Sequence, residues 1–171
     1  MNRVRGFGVA SFLSVLVFIS GCSAGFSSNS SVNTLLSKEQ HFTLKNLNGE
    51  SVSLDGLLSK NKAVLVNFWA TWCPFCLEEI PDLVKLKEKY KNSPLEIVGI
   101  DVGESAEQAG PFAKRMNINY PVLLDAENSV AESYKVAGIP TTFLVSADGK
   151  IIGEYHAFTP QLESDVEKAL K

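Results

Sequence analysis

Apolar and polar positions change rhythm several times along the 171-residue chain, and each change predicts an element. Phe7 to Ile19 is apolar but interrupted by Gly8, Ser11 and Ser14, and it is too short to span a bilayer comfortably. Ser23 to Ser37 is rich in Ser and Asn, has little apolar periodicity, and reads as a flexible tether. Beyond His41, the residues Phe42, Leu44 and Leu47 lead to Asn48-Gly49, after which Val52 and Leu54 alternate with serines. That pattern predicts a β-hairpin. Asp55-Gly56 and a Lys-Asn-Lys loop separate it from Ala63–Phe68, an apolar run of the buried-strand type. A long stretch of helix formers follows from Leu77 to Tyr90, with Pro81 expected to kink it.

Leu95 to Val102 is the next buried strand, and a helix is expected from Ser105 or Glu107 to Met116. Tyr120 to Leu124 is short and apolar, Ser129 to Tyr134 reads as a short helix, and Gly138-Ile139-Pro140-Thr141 breaks the pattern. Thr142 to Val145 and Ile151 to Tyr155 flank an Asp148-Gly149 turn and form a second hairpin. Thr159 as N-cap and Pro160 at the first helical position open a last helix to Leu170. The order is ββ, then βαβαβα, then ββα, with no internal repeat. It predicts an α/β fold whose parallel core gains an antiparallel edge from the late hairpin.

Composition agrees with one globular domain plus extensions: 45% hydrophobic, 20% charged, formal net charge −3. No dense basic run stands in the body of the chain, which argues against nucleic acid as a partner. The extension is N-terminal. Arg3 and Arg5 precede the apolar stretch, which ends in Ile19-Ser20-Gly21-Cys22 and resembles a bacterial lipobox, with Ile19 where Leu is more usual. Residues 1–21 are therefore expected to be a lipoprotein signal peptide, 22–38 a lipidated tether starting at Cys22, and 39–171 the folded domain. Removal of 1–21 leaves 14 basic against 19 acidic residues, a net charge near −5. The lipid would anchor the protein to a membrane rather than thread it through.

Cys73 and Cys76 remain. They lie in N-F-W-A-T-W-C-P-F-C, residues 67–76, where a strand ends and a helix begins. The first N–H groups of a helix lack internal acceptors and carry partial positive charge, so a thiolate there is stabilised. Pro74 suits the first helical position because it has no N–H to leave unpaired. Trp69 and Trp72 are placed to shield the sulfurs. The plainer alternatives are two buried cysteines or half of a zinc site. Zinc wants four ligands, and the chain offers no second cysteine pair and only His41 and His156. A redox pair fits better. No metal and no cofactor beyond a Cys73–Cys76 disulfide is expected.

Several further stretches stand in a fixed order: F-T-L-x-x-L-N-G-E-x-V-S-L, V-N-F-W-A-T-W-C-P-F-C, E-E-I-P, Y-P-V-L-L-D and G-I-P-T-T-F-L-V-S-A-D-G-K. From about residue 40 to the end, the chain resembles the TlpA/ResA-like thiol–disulfide oxidoreductases of the thioredoxin superfamily, which are membrane-tethered and face outside the cytoplasm. The resemblance implies a thioredoxin-like fold with an N-terminal β-hairpin, an inserted βα unit and a mixed central sheet flanked by helices. It implies that Cys73 attacks, that Cys76 resolves, and that Ile139-Pro140 faces them with Pro140 cis. Trp72, Pro74, Phe75, Ile139 and Pro140 would then meet the substrate. Implied partners are protein thiols and disulfides, including apocytochrome c, and a membrane electron donor. Reductase is the favoured direction, although the Pro74-Phe75 pair also occurs in oxidising relatives. A peroxiredoxin-type thiol peroxidase is the other enzyme class, but the T-x-x-C turn that it needs is missing.

Thioredoxin carries a buried Asp where this chain has Asn67, as the TlpA/ResA group does, so another proton acceptor is required. At about 100° per residue, Glu79 shares a helix arc with Cys76, Leu77, Ile80, Leu83 and Leu86, while Glu78 falls on the far side. The family pattern, an acid three residues after the second cysteine, points to Glu79 as well.

Overall fold

A computed structural model describes residues 33–171. The expected signal peptide and Cys22 lie outside the described residues. Eight strands form one sheet: β1 (Thr34–Leu35), β2 (Thr43–Asn46), β3 (Ser51–Ser53), β4 (Ala63–Trp69), β5 (Leu95–Val102), β6 (Val122–Asp125), β7 (Thr141–Ser146) and β8 (Lys150–Tyr155). Five helices accompany them: α1 (Leu54–Leu58), α2 (Pro74–Lys89), α3 (Ala106–Arg115), α4 (Ser129–Ser133) and α5 (Pro160–Leu170). Across the sheet the order is β1-β8-β7-β4-β5-β6-β2-β3. The strands β4, β5 and β6 run parallel, as their helical crossovers require. This is a thioredoxin-like α/β fold with a mixed sheet.

β4 sits at the centre, hydrogen-bonded to β5 on one side and antiparallel β7 on the other, and all seven of its residues are buried. A strand covered on both faces needs apolar residues at every position rather than alternation, hence A-V-L-V-N-F-W. Val64, Val66 and Phe68 point to one core, where Phe68 packs against Tyr134 and Phe143. Ala63 and Leu65 point to the other, beneath Leu83 and Leu86 of α2 and Leu162 and Val166 of α5. Because side chains alternate, Asn67 and Trp69 follow Leu65 onto the α2 face. Trp69 is sealed there, stacked on Phe112 of α3 with centroids 5.2 Å apart.

Some elements depart from the sequence reading. The hairpin β7–β8 is not an edge, because β7 pairs with central β4 and β8 is flanked by β1. Thr34 and Leu35 at the end of the expected tether supply that outer strand, so the sheet starts before residue 39. Leu54 to Leu58, read as strand end and loop, forms a helical turn: the Ser53 hydroxyl accepts the Gly56 N–H at 3.1 Å and buries Leu54 and Leu58. Two buried leucines outweigh the turn preference of Asp55-Gly56. Helix α2 runs unbroken past Pro81.

Truncating Leu65 would open a cavity between α2, α5 and the sheet. Leu65→Ala is expected to cost about 2–5 kcal/mol in urea unfolding, with disulfide exchange kinetics unchanged in the folded protein. Leu35→Ala, on an exposed edge, should stay within about 0.5 kcal/mol.

Candidate redox site

β4 ends at Trp69, and a short turn through Thr71 delivers Cys73 to the N-cap of α2. Glu104, just past β5, holds that turn from below. Its carboxylate accepts the Thr71 N–H at 2.6 Å and the Thr71 hydroxyl at 2.7 Å. Pro74 occupies the first helical turn as expected. The Cys76 N–H donates to Cys73 Sγ at 3.1 Å, so the sulfur itself fills the capping role normally taken by a Ser or Asp oxygen. The two cysteines form a disulfide with Cα atoms 5.3 Å apart. The Ile139-Pro140 peptide is cis, and its loop faces the sulfurs, with the Ile139 carbonyl oxygen 3.6 Å from Cys73 Sγ.

Exposure is uneven around the disulfide. Cys73, the attacking thiol implied by the resemblance, and Cys76, the resolving one, are both nearly covered here, at 2% and 1%. The bond buries each sulfur against the other, and Ile139 packs against the same cluster. Trp72, expected to shield the sulfurs, is instead 68% exposed, at a groove it lines with Ala131 of α4 and Ile139. Trp69 does lie in the cluster that holds both sulfurs. Trp72 and Phe75, the latter 69% exposed, form an apolar rim around the disulfide. Between Phe75, Glu78, Ile139, Pro140 and His156 runs an open groove of about 470 Å³.

Glu79 is buried at 5% exposure while Glu78 is solvated, as the helix phase predicts. Leu77, placed on the same arc, is exposed instead. Beneath Glu79 lies a chain that the sequence reading did not include. Asn67 Nδ2 donates to Thr142 Oγ1 at 2.9 Å, and that hydroxyl donates to Glu79 Oε1 at 3.2 Å. Glu79 Oε2 is buried without a partner. Burial pushes the Glu79 carboxyl up to about 7; the Thr142 hydrogen bond opposes the shift and the nearby Asp82 charge adds to it. Such a carboxyl exchanges protons near neutrality, one helical turn from Cys76.

Thr142 could have been found from the strand register, since it stands opposite Asn67 in the β4–β7 pairing. His156 was weighed only as a zinc ligand. Thr141 spends its proton on the Gly138 carbonyl at 2.7 Å, so its oxygen accepts from His156 Nδ1–H at 3.1 Å, which ties the proline loop to the end of β8.

The profile of the AhpC/TSA family matches residues 37–153. ResA, a thiol-disulfide oxidoreductase of Bacillus subtilis, is 38% identical over 66% of this chain and 62% of its own length. ResA of Bacillus thuringiensis is 34% identical over 77% of this chain and 73% of its own. The chain belongs to the AhpC/TSA family, with the ResA-like thiol–disulfide oxidoreductases. Among solved structures, the thioredoxin domain of a thiol-disulfide oxidoreductase from Bacteroides vulgatus superposes with TM-score 0.72 at 28% identity, over 82% of this chain and 98% of that one. A thiol:disulfide interchange protein from Chlorobium tepidum gives TM-score 0.66 at 31% identity, over 77% and 94%. The chain thus spans somewhat under two thirds of the length of the Bacillus subtilis relative. The family resemblance and the thioredoxin-like fold expected from the sequence are both present.

Glu79 has a raised pKa in the fold, so the native state holds its proton where the unfolded chain has lost it. Its contribution to stability therefore falls as pH rises from about 4.5 to about 7. In the oxidised protein, Glu79→Gln should remove on the order of 3 kcal/mol of that fall, read from denaturant unfolding at successive pH values. It should also flatten the pH–rate profile of cysteine exchange. Glu78→Gln should do neither, and identical profiles for wild type and Glu79→Gln would refute the assignment.

Proposed function

We propose that this protein is an extracytoplasmic thiol–disulfide oxidoreductase that reduces disulfides of other proteins. The observation that carries the reading is the Cys73–Cys76 disulfide, capping α2 beside the Ile139 carbonyl at the edge of an open groove. The ResA relatives support the same chemistry. In the reduced protein, the Cys73 thiolate attacks one sulfur of a substrate disulfide and the other substrate sulfur leaves as a thiolate. Glu79 takes the proton of Cys76, whose thiolate then attacks Cys73 and releases the second substrate sulfur. Two electrons pass to the substrate, the protein is left with its disulfide, and a membrane donor of electron pairs must restore the dithiol. Nothing beyond the disulfide is needed as cofactor.

The lipobox-like Ile19-Ser20-Gly21-Cys22 supports attachment through a lipid on Cys22. No helix among the described residues is long and apolar enough to cross a membrane. Exposed Trp72 and Phe75 suit a substrate segment presented in extended form, and the cysteine pair of an apocytochrome c is the substrate in this reading.

The reduction potential of the Cys73–Cys76 couple, measured in dithiothreitol redox buffers, is expected between about −200 and −300 mV. A value near about −120 mV would make the protein an oxidant. Rapid consumption of hydrogen peroxide without insulin reduction would favour a peroxidase instead. Cys76→Ser should accumulate mixed disulfides with its substrates through Cys73, and Cys73→Ser none. Cys22→Ala should release the mature protein from the membrane fraction, and intact mass should show a diacylglyceryl group on Cys22.

A further inference from the structure

Three buried polar side chains beneath α2 are strung together by hydrogen bonds, and the order of donors in that string has a chemical consequence. Asn67 of β4 stands directly opposite Thr142 of antiparallel β7, and both are sealed from solvent. Opposite residues of paired strands put their side chains on one face of the sheet, so amide and hydroxyl meet. Thr142 Oγ1 accepts from Asn67 Nδ2–H at 2.9 Å. An amide N–H accepts nothing in return, so the hydroxyl proton is turned away from β4. It goes to Glu79 Oε1, at 3.2 Å. The second carboxyl oxygen, Oε2, is buried and has no partner. With Oε1 held as an acceptor, the acid proton belongs on Oε2.

We propose that Thr142 is a positioning residue for the exchange: turned by Asn67, its hydroxyl holds Glu79 Oε1 and leaves Oε2 as the oxygen that takes the Cys76 proton and gives it up again. This role rests on Glu79 being the proton acceptor proposed above. No other titratable neighbour does the same. Cys76, Glu78 and Asp82 share its helix, and the Asp82 charge opposes ionisation of Glu79. Tyr120, ahead of β6, is raised by burial and then by the Glu79 charge, and its hydroxyl is buried without a partner. His156, beyond β8, lines the same groove, but its Nδ1 is engaged with Thr141. The Thr142 hydrogen bond is therefore what favours the carboxylate against burial. Glu79 also lines the open groove beside Pro140, which gives its proton a way to solvent. Without the hydroxyl, burial and Asp82 act unopposed, and at pH 7 the carboxyl stays protonated and receives nothing from Cys76.

Thr142→Val keeps the shape of the side chain and removes the hydroxyl, whereas Thr142→Ser keeps the hydroxyl. Carbon-13 NMR of the glutamate carboxyls in the oxidised full chain reads the Glu79 midpoint, with Glu79→Gln assigning the resonance. Thr142→Val should raise that midpoint by about one to two pH units, the effect of one hydrogen bond to a charged group. Thr142→Ser should bring it back to within about half a unit of wild type. Exchange of the reduced protein with glutathione disulfide should be about five- to fiftyfold slower at pH 7 in Thr142→Val, and recover above the new midpoint. A Thr142→Val midpoint at the wild-type value, or a Thr142→Ser midpoint no closer to wild type than that of Val, overturns the proposal alone. A raised midpoint with unchanged exchange profiles in both Thr142→Val and Glu79→Gln overturns Glu79 as acceptor, and the proposal falls with it. Should Thr142→Val fail to fold, Thr142→Ala reads the same loss of the hydroxyl.

Discussion

The arrangement depends on one contact, the Cys76 N–H donating to Cys73 Sγ at the head of α2. Helix N-termini have N–H groups to spare, and a sulfur placed there is held by groups that cost no reorganisation when it ionises. Everything upstream serves to deliver Cys73 to that point. β4 must be central and buried on both faces, so that its end is fixed in space. The turn after it must be rigid, which Glu104 accomplishes by taking both hydrogen-bonding groups of Thr71. α2 must be clamped to the sheet through Leu83 and Leu86, or its N-terminus would wander relative to β4. The same burial that fixes the geometry also dries the site, and dryness is what moves the carboxyls.

Much of this was legible from residue order. The strand–C-x-x-C–helix junction and the Glu79 phase rest on local signals, an apolar run, a proline at N1 and a 3.6-residue period, whereas the proline loop facing the junction came from the family resemblance. What escaped the reading depends on which strand lies beside which. The β7–β8 hairpin looks like an edge in sequence because nothing local says that β7 pairs with β4. The same ignorance hid Thr142, whose role exists only opposite Asn67. α1 was missed because Asp55-Gly56 is a turn signal, and only the burial of Leu54 and Leu58 reverses its meaning.

Exposure was the other gap. Trp72 and Trp69 are two residues of one type three positions apart, yet one is 68% exposed and the other fully buried. Trp69 is the last residue of β4 and inherits the face that α2 and α3 cover, whereas Trp72 lies beyond the sheet. The cysteines show the converse. Their position predicts reactivity, but in the oxidised state both are nearly covered, at 2% and 1% exposure.

Burial raises two acids of the fold, Glu79 and Asp101, each in its own surroundings. Glu79 and Asp101 are both raised by burial, so the fold is stabilised by their protons and resists acid better than a protein whose carboxylates are salt-bridged. Their surroundings differ. Thr142 donates to Glu79 and so favours its ionised form, which keeps its pKa near neutrality and its proton mobile. Asp101 has no side-chain donor, and burial first, then the Glu104 charge, push it up to about 8. When the disulfide opens, a thiolate on Cys76 adds a negative charge one helical turn from Glu79. Like charges there cannot all be carried at once, so thiol and Glu79 ionisation become coupled and titrate as a pair. A proton leaving Cys76 therefore has a receiver whose own affinity rises as the thiolate forms.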